Sequence, residues 1–184
     1  MKLKRRWWMV WLLLCVLAGP LPGQRRERDP LTEAEVDQMR EAADYPSKRL
    51  ELLVKFERER MFQIESLLGD TSNATRAKQI HDLLGDFIAI LDEVEDNIDM
   101  YAAHSADMRK GLKLLIEADS EWQLKLRQLK EKSPPEQLQQ YSFVLMNAVD
   151  TVADSAKTAR ETLQEQNKLA AEKKLTKVYS ERKD

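Results

Sequence analysis

One cysteine, two histidines and five glycines are spread over 184 residues. So little glycine argues against the Gly-rich loops that cradle phosphates in nucleotide-binding folds. Two histidines argue against most metalloenzymes. A single cysteine rules out a disulfide framework, and six prolines with five glycines rule out collagen-like and low-complexity classes. Aromatic residues make up only 7%. What the chain does have is charge, at 34%, beside 42% apolar residues. At 21.4 kDa it is long enough for one domain with a real core.

Residues 1–23 differ from the rest. Lys2, Lys4, Arg5 and Arg6 form a positive start, Trp7 to Ala18 carry no charge, and Gly19-Pro20-Leu21-Pro22-Gly23 follow. This is the three-part layout of a secretory signal peptide, and the apolar run is shorter than the ~20 residues needed to span a bilayer as a helix. Cleavage is expected after Ala18 or after Gly23, giving an exported protein of the periplasm or the extracellular medium. The competing reading is an uncleaved anchor with Trp7, Trp8 and Trp11 at the interface. Cys15 lies inside the segment and follows Leu14 rather than the small residue a lipoprotein signal requires. Cleavage would therefore leave a chain without cysteine, hence without disulfides or thiol chemistry. It would also remove four basic residues, leaving 26 basic against 32 acidic, a net of −6. Nucleic-acid binders show the opposite balance, so no nucleic-acid partner is expected. Membrane contact is expected only through the signal segment.

Residues 24–30 are polar and read as a disordered linker. The helical domain is expected over 31–166, and 167–184 as a charged, frayed tail. Thr32-Glu33-Ala34-Glu35 has the form of a capping box. Pro46 ends the short helix that follows and opens a second, to about Leu68, with Leu50, Val54, Met61, Ile64 and Leu68 on one stripe and Glu57 as its polar exception. Gly69 to Asn73 form the clearest loop. Asn73-Ala74-Thr75 fits the glycosylation sequon, but at a helix start capping is the preferred reading. Ser133-Pro134-Pro135-Glu136 predicts a stop and a second capping box. The last helix carries Leu138, Leu145, Val149, Val152, Ala156, Ala159 and Leu163 at alternating spacings of three and four.

The strongest signal lies between these elements. Ile80, Leu84, Phe87, Leu91, Val94, Ile98 and Tyr101 form a heptad seam, continued in phase by Met108, Leu112, Leu115, Trp122, Leu126 and Leu129. Only Ser105 and Asp119 interrupt it. One reading is a single helix of some 55 residues, ~80 Å long. The other is a hairpin near His104-Ser105-Ala106-Asp107. The unbroken phase favours the single helix. No period-2 strand pattern appears, so the expected fold class is all-α: long antiparallel helices in a three- to four-helix bundle or a coiled-coil hairpin.

Chemistry-bearing constellations are few. Asp92, Asp96 and Asp99 share one helix face, but a straight helix does not converge enough oxygens on one point for a hard cation, and a solvated acidic face is the preferred reading. Neither His81 nor His104 follows a Glu by three residues, as a di-iron bundle requires. No Cys-x-x-Cys-His is present for covalent haem, while Met100, Met108 and Met146 leave Met/His ligation open. Ser142 and Ser155 lie in helical patterns with no nucleophile elbow. No enzymatic activity and no cofactor are expected. Trp122 sits on the seam, as a core filler or, alternatively, a partner-binding anchor.

On Gln79-Ile80-His81-Asp82-Leu83-Leu84 and Asp96-Asn97-Ile98-Asp99-Met100-Tyr101, the passage from Leu31 to about Gln166 resembles an uncharacterised group of exported all-helical bacterial proteins with no assigned function. That resemblance implies no activity. Leu31-Thr32-Glu33-Ala34-Glu35 is similar to the Leu-Thr-x-x-Gln motif of small periplasmic chaperones of the Spy and CpxP type. It carries Glu in place of Gln and has no second copy, so it reads as a cap.

These features lead to an exported, non-catalytic helical interaction or scaffold protein of the cell envelope, with a protein partner or a homodimer. The alternatives are a periplasmic holdase-type chaperone and a bundle that binds a metal or haem.

Overall fold

The computed structural model describes residues 29–181, with side chains as far as Lys174. The expected signal segment lies outside the described residues. The described chain is all-helical: α1 (Glu33–Glu41), α2 (Pro46–Gly69), α3 (Arg76–Ala103), α4 (Arg109–Lys132) and α5 (Pro135–Glu181). The last helix continues past Gln166, where the apolar pattern stops.

The capping box at α1 forms. The Glu35 amide donates to Thr32 Oγ1 at 3.3 Å, and the Thr32 amide to Glu35 Oε2 at 2.7 Å. Glu35 also holds the buried Arg60 of α2 through two bonds of 2.7 Å, and Arg60 reaches back to the Pro30 carbonyl. The capping box expected at Ser133 does not form. The Ser133 hydroxyl donates to the Leu129 carbonyl at the end of α4 and accepts from Tyr141, and Pro134 offers its carbonyl to Gln137 and Leu138 instead. Thr75 occupies the start of α3 without a side-chain cap, while Asn73 Oδ1 accepts from the Thr75 amide and hydroxyl, both at 2.9 Å.

The single long helix favoured by the seam is incorrect. The chain turns at His104–Met108. Ser105 has φ 55°, the one positive φ outside glycine among the described residues. Its amide bonds the Ala102 carbonyl at 2.9 Å, and the Ala106 amide bonds that of Tyr101 at 3.0 Å. This is a Schellman ending, with serine where glycine is usual. From α5, Gln166 clamps the turn, donating to the Ala106 carbonyl at 2.8 Å and accepting from the Met108 amide at 3.0 Å. The turn keeps the seam in phase, so Tyr101 before it and Met108 at its end are both buried.

Each of the four long helices packs on two others: α2 on α3 and α4, and α5 on α3 and α4. The consecutive α3 and α4 therefore lie diagonally. α2 and α4 run parallel, as Ser47 beside Gly111 and Glu65 beside Lys125 show. A Cβ on Gly111 would stand 2.9 Å from Leu50 Cβ and 3.1 Å from Ser47 Cα, so only glycine permits this approach. α4 and α5 run antiparallel, as Asp119 beside Ser155 and Ser133 beside Tyr141 show. The seam residues of all four helices fill one core, with Leu50, Phe56, Leu84, Phe87, Leu112 and Trp122 wholly buried.

Candidate functional site

The apolar-inside pattern breaks in several places, among them the buried Glu35–Arg60 pair and the exposed Tyr45, Phe62 and Leu124, and most fully in two. The first is the middle of the core. Glu57 of α2 and Asp119 of α4, the polar residues on two otherwise apolar stripes, are both 0% exposed. Trp122, one turn along α4 from Asp119, donates its indole N–H to Glu57 Oε2 at 3.1 Å. The Ser155 hydroxyl of α5 reaches both Asp119 oxygens at 3.3 Å. Glu57 Oε1 has no hydrogen-bond partner. Burial pushes the Glu57 carboxyl well above the ordinary range, and the Asp119 charge adds to the effect. Burial likewise raises Asp119 to about 7, against the opposing pull of Ser155 and Arg160. Asp119 thus titrates near neutrality, and burial favours the protonated form of Glu57 as well.

Trp122 is 0% exposed. Its ring meets Phe87 edge-on, with centroids 6.0 Å apart at 88°, and the Arg58 guanidinium lies 5.7 Å over it. The partner-anchor reading needs an open ring, and here the packing of α2, α3 and α4 encloses it. Asp92, Asp96 and Asp99 point to solvent along α3. His81 and His104 lie at opposite ends of α3. Among the described residues no group of three or more His, Cys, Asp or Glu is placed to hold a metal ion. No described helix is long and apolar enough to cross a membrane.

The second place is the outer face where α4 meets α5. A groove of about 570 Å³ runs between Gln123, Arg127 and Lys130 on one wall and Ser142, Met146 and Val149 on the other. Met146 is 57% exposed, and Phe143, three residues before it and outside the groove's lining, is 79% exposed. Leu126 and Leu145 form its floor. The periodicity of α5 identified its buried stripe except at Val149, which is 39% exposed and lines the groove, and it missed Phe143 and Met146, which fall between seam positions. Their signal is two large apolar residues on a face that should be polar. The acidic centre had a clearer signal, a carboxylate on each of two apolar stripes.

No family model, curated protein or solved structure matches the chain.

Proposed function

We propose that the chain is an exported, non-catalytic interaction protein of the cell envelope, built as a four-helix bundle closed on itself that presents the α4/α5 strip for docking. The observation behind this reading is the division of apolar residues. The seams are used up inside the molecule, with Trp122, Phe87 and Leu126 at 0% exposure, while Phe143 and Met146 stay outside. A folded domain that keeps such residues in water gains no stability from them, so their value lies in contact. Export rests on the layout of residues 1–23.

Photo-crosslinking in the producing cells tests the docking role. A crosslinker at position 143 is expected to give one discrete adduct, and one at the exposed Asp92 of α3 none. The same weak background from both positions overturns the reading. A broad smear of adducts from position 143 alone would instead support the holdase alternative, which needs the same exposed strip. N-terminal sequencing of the recovered protein tests export: a start at Gly19 or Gln24 supports it, and an intact Met1 in the cytoplasmic fraction refutes it.

A further inference from the structure

The groove between α4 and α5 has edges of opposite charge. On the α4 side stand Arg127 and Lys130, which line it. Across the apolar strip, on the far side of α5, stands the exposed Asp150, with Asp154 a turn on toward Glu95 of α3 and the exposed Lys157 beyond it. The antiparallel contacts Asp119–Ser155 and Ser133–Tyr141 set the heights of the two helices. They bring Arg127 level with Asn147, one turn below Asp150, and Lys130 level with Val144. Between the edges lie Ser142, Met146, Val149 and Ala153, where the small Ser142 and Ala153 leave room for close approach. A partner that fits must bring an apolar strip of its own, with an acidic edge for Arg127 and Lys130 and a basic edge for Asp150. This surface carries that pattern itself. A two-fold rotation parallel to the helices swaps its edges, laying basic on acidic twice. Rotation about a perpendicular axis would set Arg127 and Lys130 against their own copies.

We propose that the α4/α5 groove takes a second copy of this chain, in a two-fold dimer with its axis parallel to the helices and the Arg127–Lys130 edge of each protomer against the Asp150 edge of the other. Such an interface is isologous, so each contact occurs twice. The proposal rests on the docking reading above and names its occupant.

Light scattering coupled to size-exclusion chromatography, over a range of concentrations, reads the mass of the purified protein. Twice the chain mass is expected, falling to one chain mass on dilution. Met146→Glu is expected to weaken the dimer by at least ~100-fold, because it places two charges in the buried strip, with helicity unchanged by circular dichroism. Arg127→Asp and Asp150→Arg are each expected to weaken it ~10-fold through like-charge repulsion at both copies of the contact, and the double variant to recover to within a few-fold of the parent. A single-chain mass at every concentration, or a dimer indifferent to Met146→Glu, overturns the proposal. So does a double variant weaker than either single one, since it would show that these edges do not meet. If the protein is monomeric yet position 143 still crosslinks to one other envelope protein, self-docking fails and the interaction reading stands. If position 143 captures nothing, both fail.

Discussion

Glu57 and Phe143 have changed places relative to their hydropathy: the glutamate is 0% exposed and the phenylalanine 79%. Both sit on long amphipathic helices whose other residues follow the rule. Around Glu57 and Asp119 the helices close tightly although two carboxylates are inside. At the α4/α5 face they leave a groove although the residues there would gain by closing. The two regions therefore incur cost in different states. The acidic centre costs stability in the folded monomer, because a carboxylate taken out of water must be paired, hydrogen-bonded or neutralised. The strip costs nothing in folding, and on the docking proposal it gains only through contact. Glu35 supplies a control within the same molecule. It too is buried, but Arg60 and Thr32 donate to it, and those hydrogen bonds outweigh the upward push of burial and lower its pKa. Pairing, rather than burial alone, decides which buried acid stays charged.

The largest expected effect comes from emptying the centre. Trp122→Ala removes the largest wholly buried side chain, strips Glu57 of its single donor and breaks the edge contact with Phe87. A loss of about 3–5 kcal/mol is expected in urea unfolding, the usual range for a large core aromatic. A loss under ~1 kcal/mol would mean that the ring is not held as described, and would reopen its role as an anchor.

Next comes the proton on Asp119. A carboxyl raised on folding binds its proton more tightly in the folded than in the unfolded chain. Its contribution is therefore fully present below the unfolded value near 4 and is lost as pH rises through the folded value of about 7. Glu57, raised by burial and by the Asp119 charge, adds a decline of the same sign. The protein is expected to unfold more readily at pH 8 than at pH 5, against the usual acid sensitivity of salt-bridged domains. Asp119→Asn is expected to add about 2–4 kcal/mol at pH 8 and little at pH 4, flattening the slope. Urea midpoints at three pH values decide it. A parent slope of the opposite sign would mean that other carboxylates, such as Glu35, dominate the balance. A smaller effect is expected where α2 and α4 touch. Gly111→Ala pushes a methyl against Leu50 Cβ and the Ser47 backbone, and a loss of about 1–3 kcal/mol is expected. No loss would show that the two parallel helices can part.

How much of this could be read beforehand differs between the two regions. The seam residues from Ile80 to Leu129 carry an apolar period that only a helix satisfies, so the all-α class and the buried stripes were legible. The turn inside them was legible only as the second reading, near His104–Asp107, because the unbroken phase spoke for one helix. It is made by Ser105 in a left-handed conformation and fastened by Gln166, 58 residues on from Met108. A tertiary clamp leaves no local mark, and serine is not the residue that signals a helix end. Ser133 misled in the other direction: its hydroxyl had a cap motif in front of it and behind it the Leu129 carbonyl, which also accepts from the Ser133 amide, and that carbonyl took it. In the centre, Glu57 and Asp119 were visible as breaks in two separate stripes. Only the parallel pairing of α2 and α4 brings them into one field, and nothing within either stripe shows that pairing. The strip was least legible of all, since a periodicity that finds the buried face says nothing about apolar residues standing off it.

The smallest expected effect on stability is also the sharpest division between the regions. Phe143→Ser changes a side chain that is 79% exposed, to a residue of similar helix propensity, so the unfolding free energy should move by less than ~0.5 kcal/mol. The same substitution should abolish the discrete crosslinked adduct read from a neighbouring position such as Met146. Trp122→Ala should do the reverse in mild conditions, lowering stability while leaving a still-folded fraction able to dock, because the ring does not reach the groove. Two aromatic residues would then separate cleanly, one answering only to urea and the other only to a partner. If Phe143→Ser instead costs as much as a core substitution, its ring packs on the molecule itself, and the α4/α5 face belongs with the core rather than opposite it.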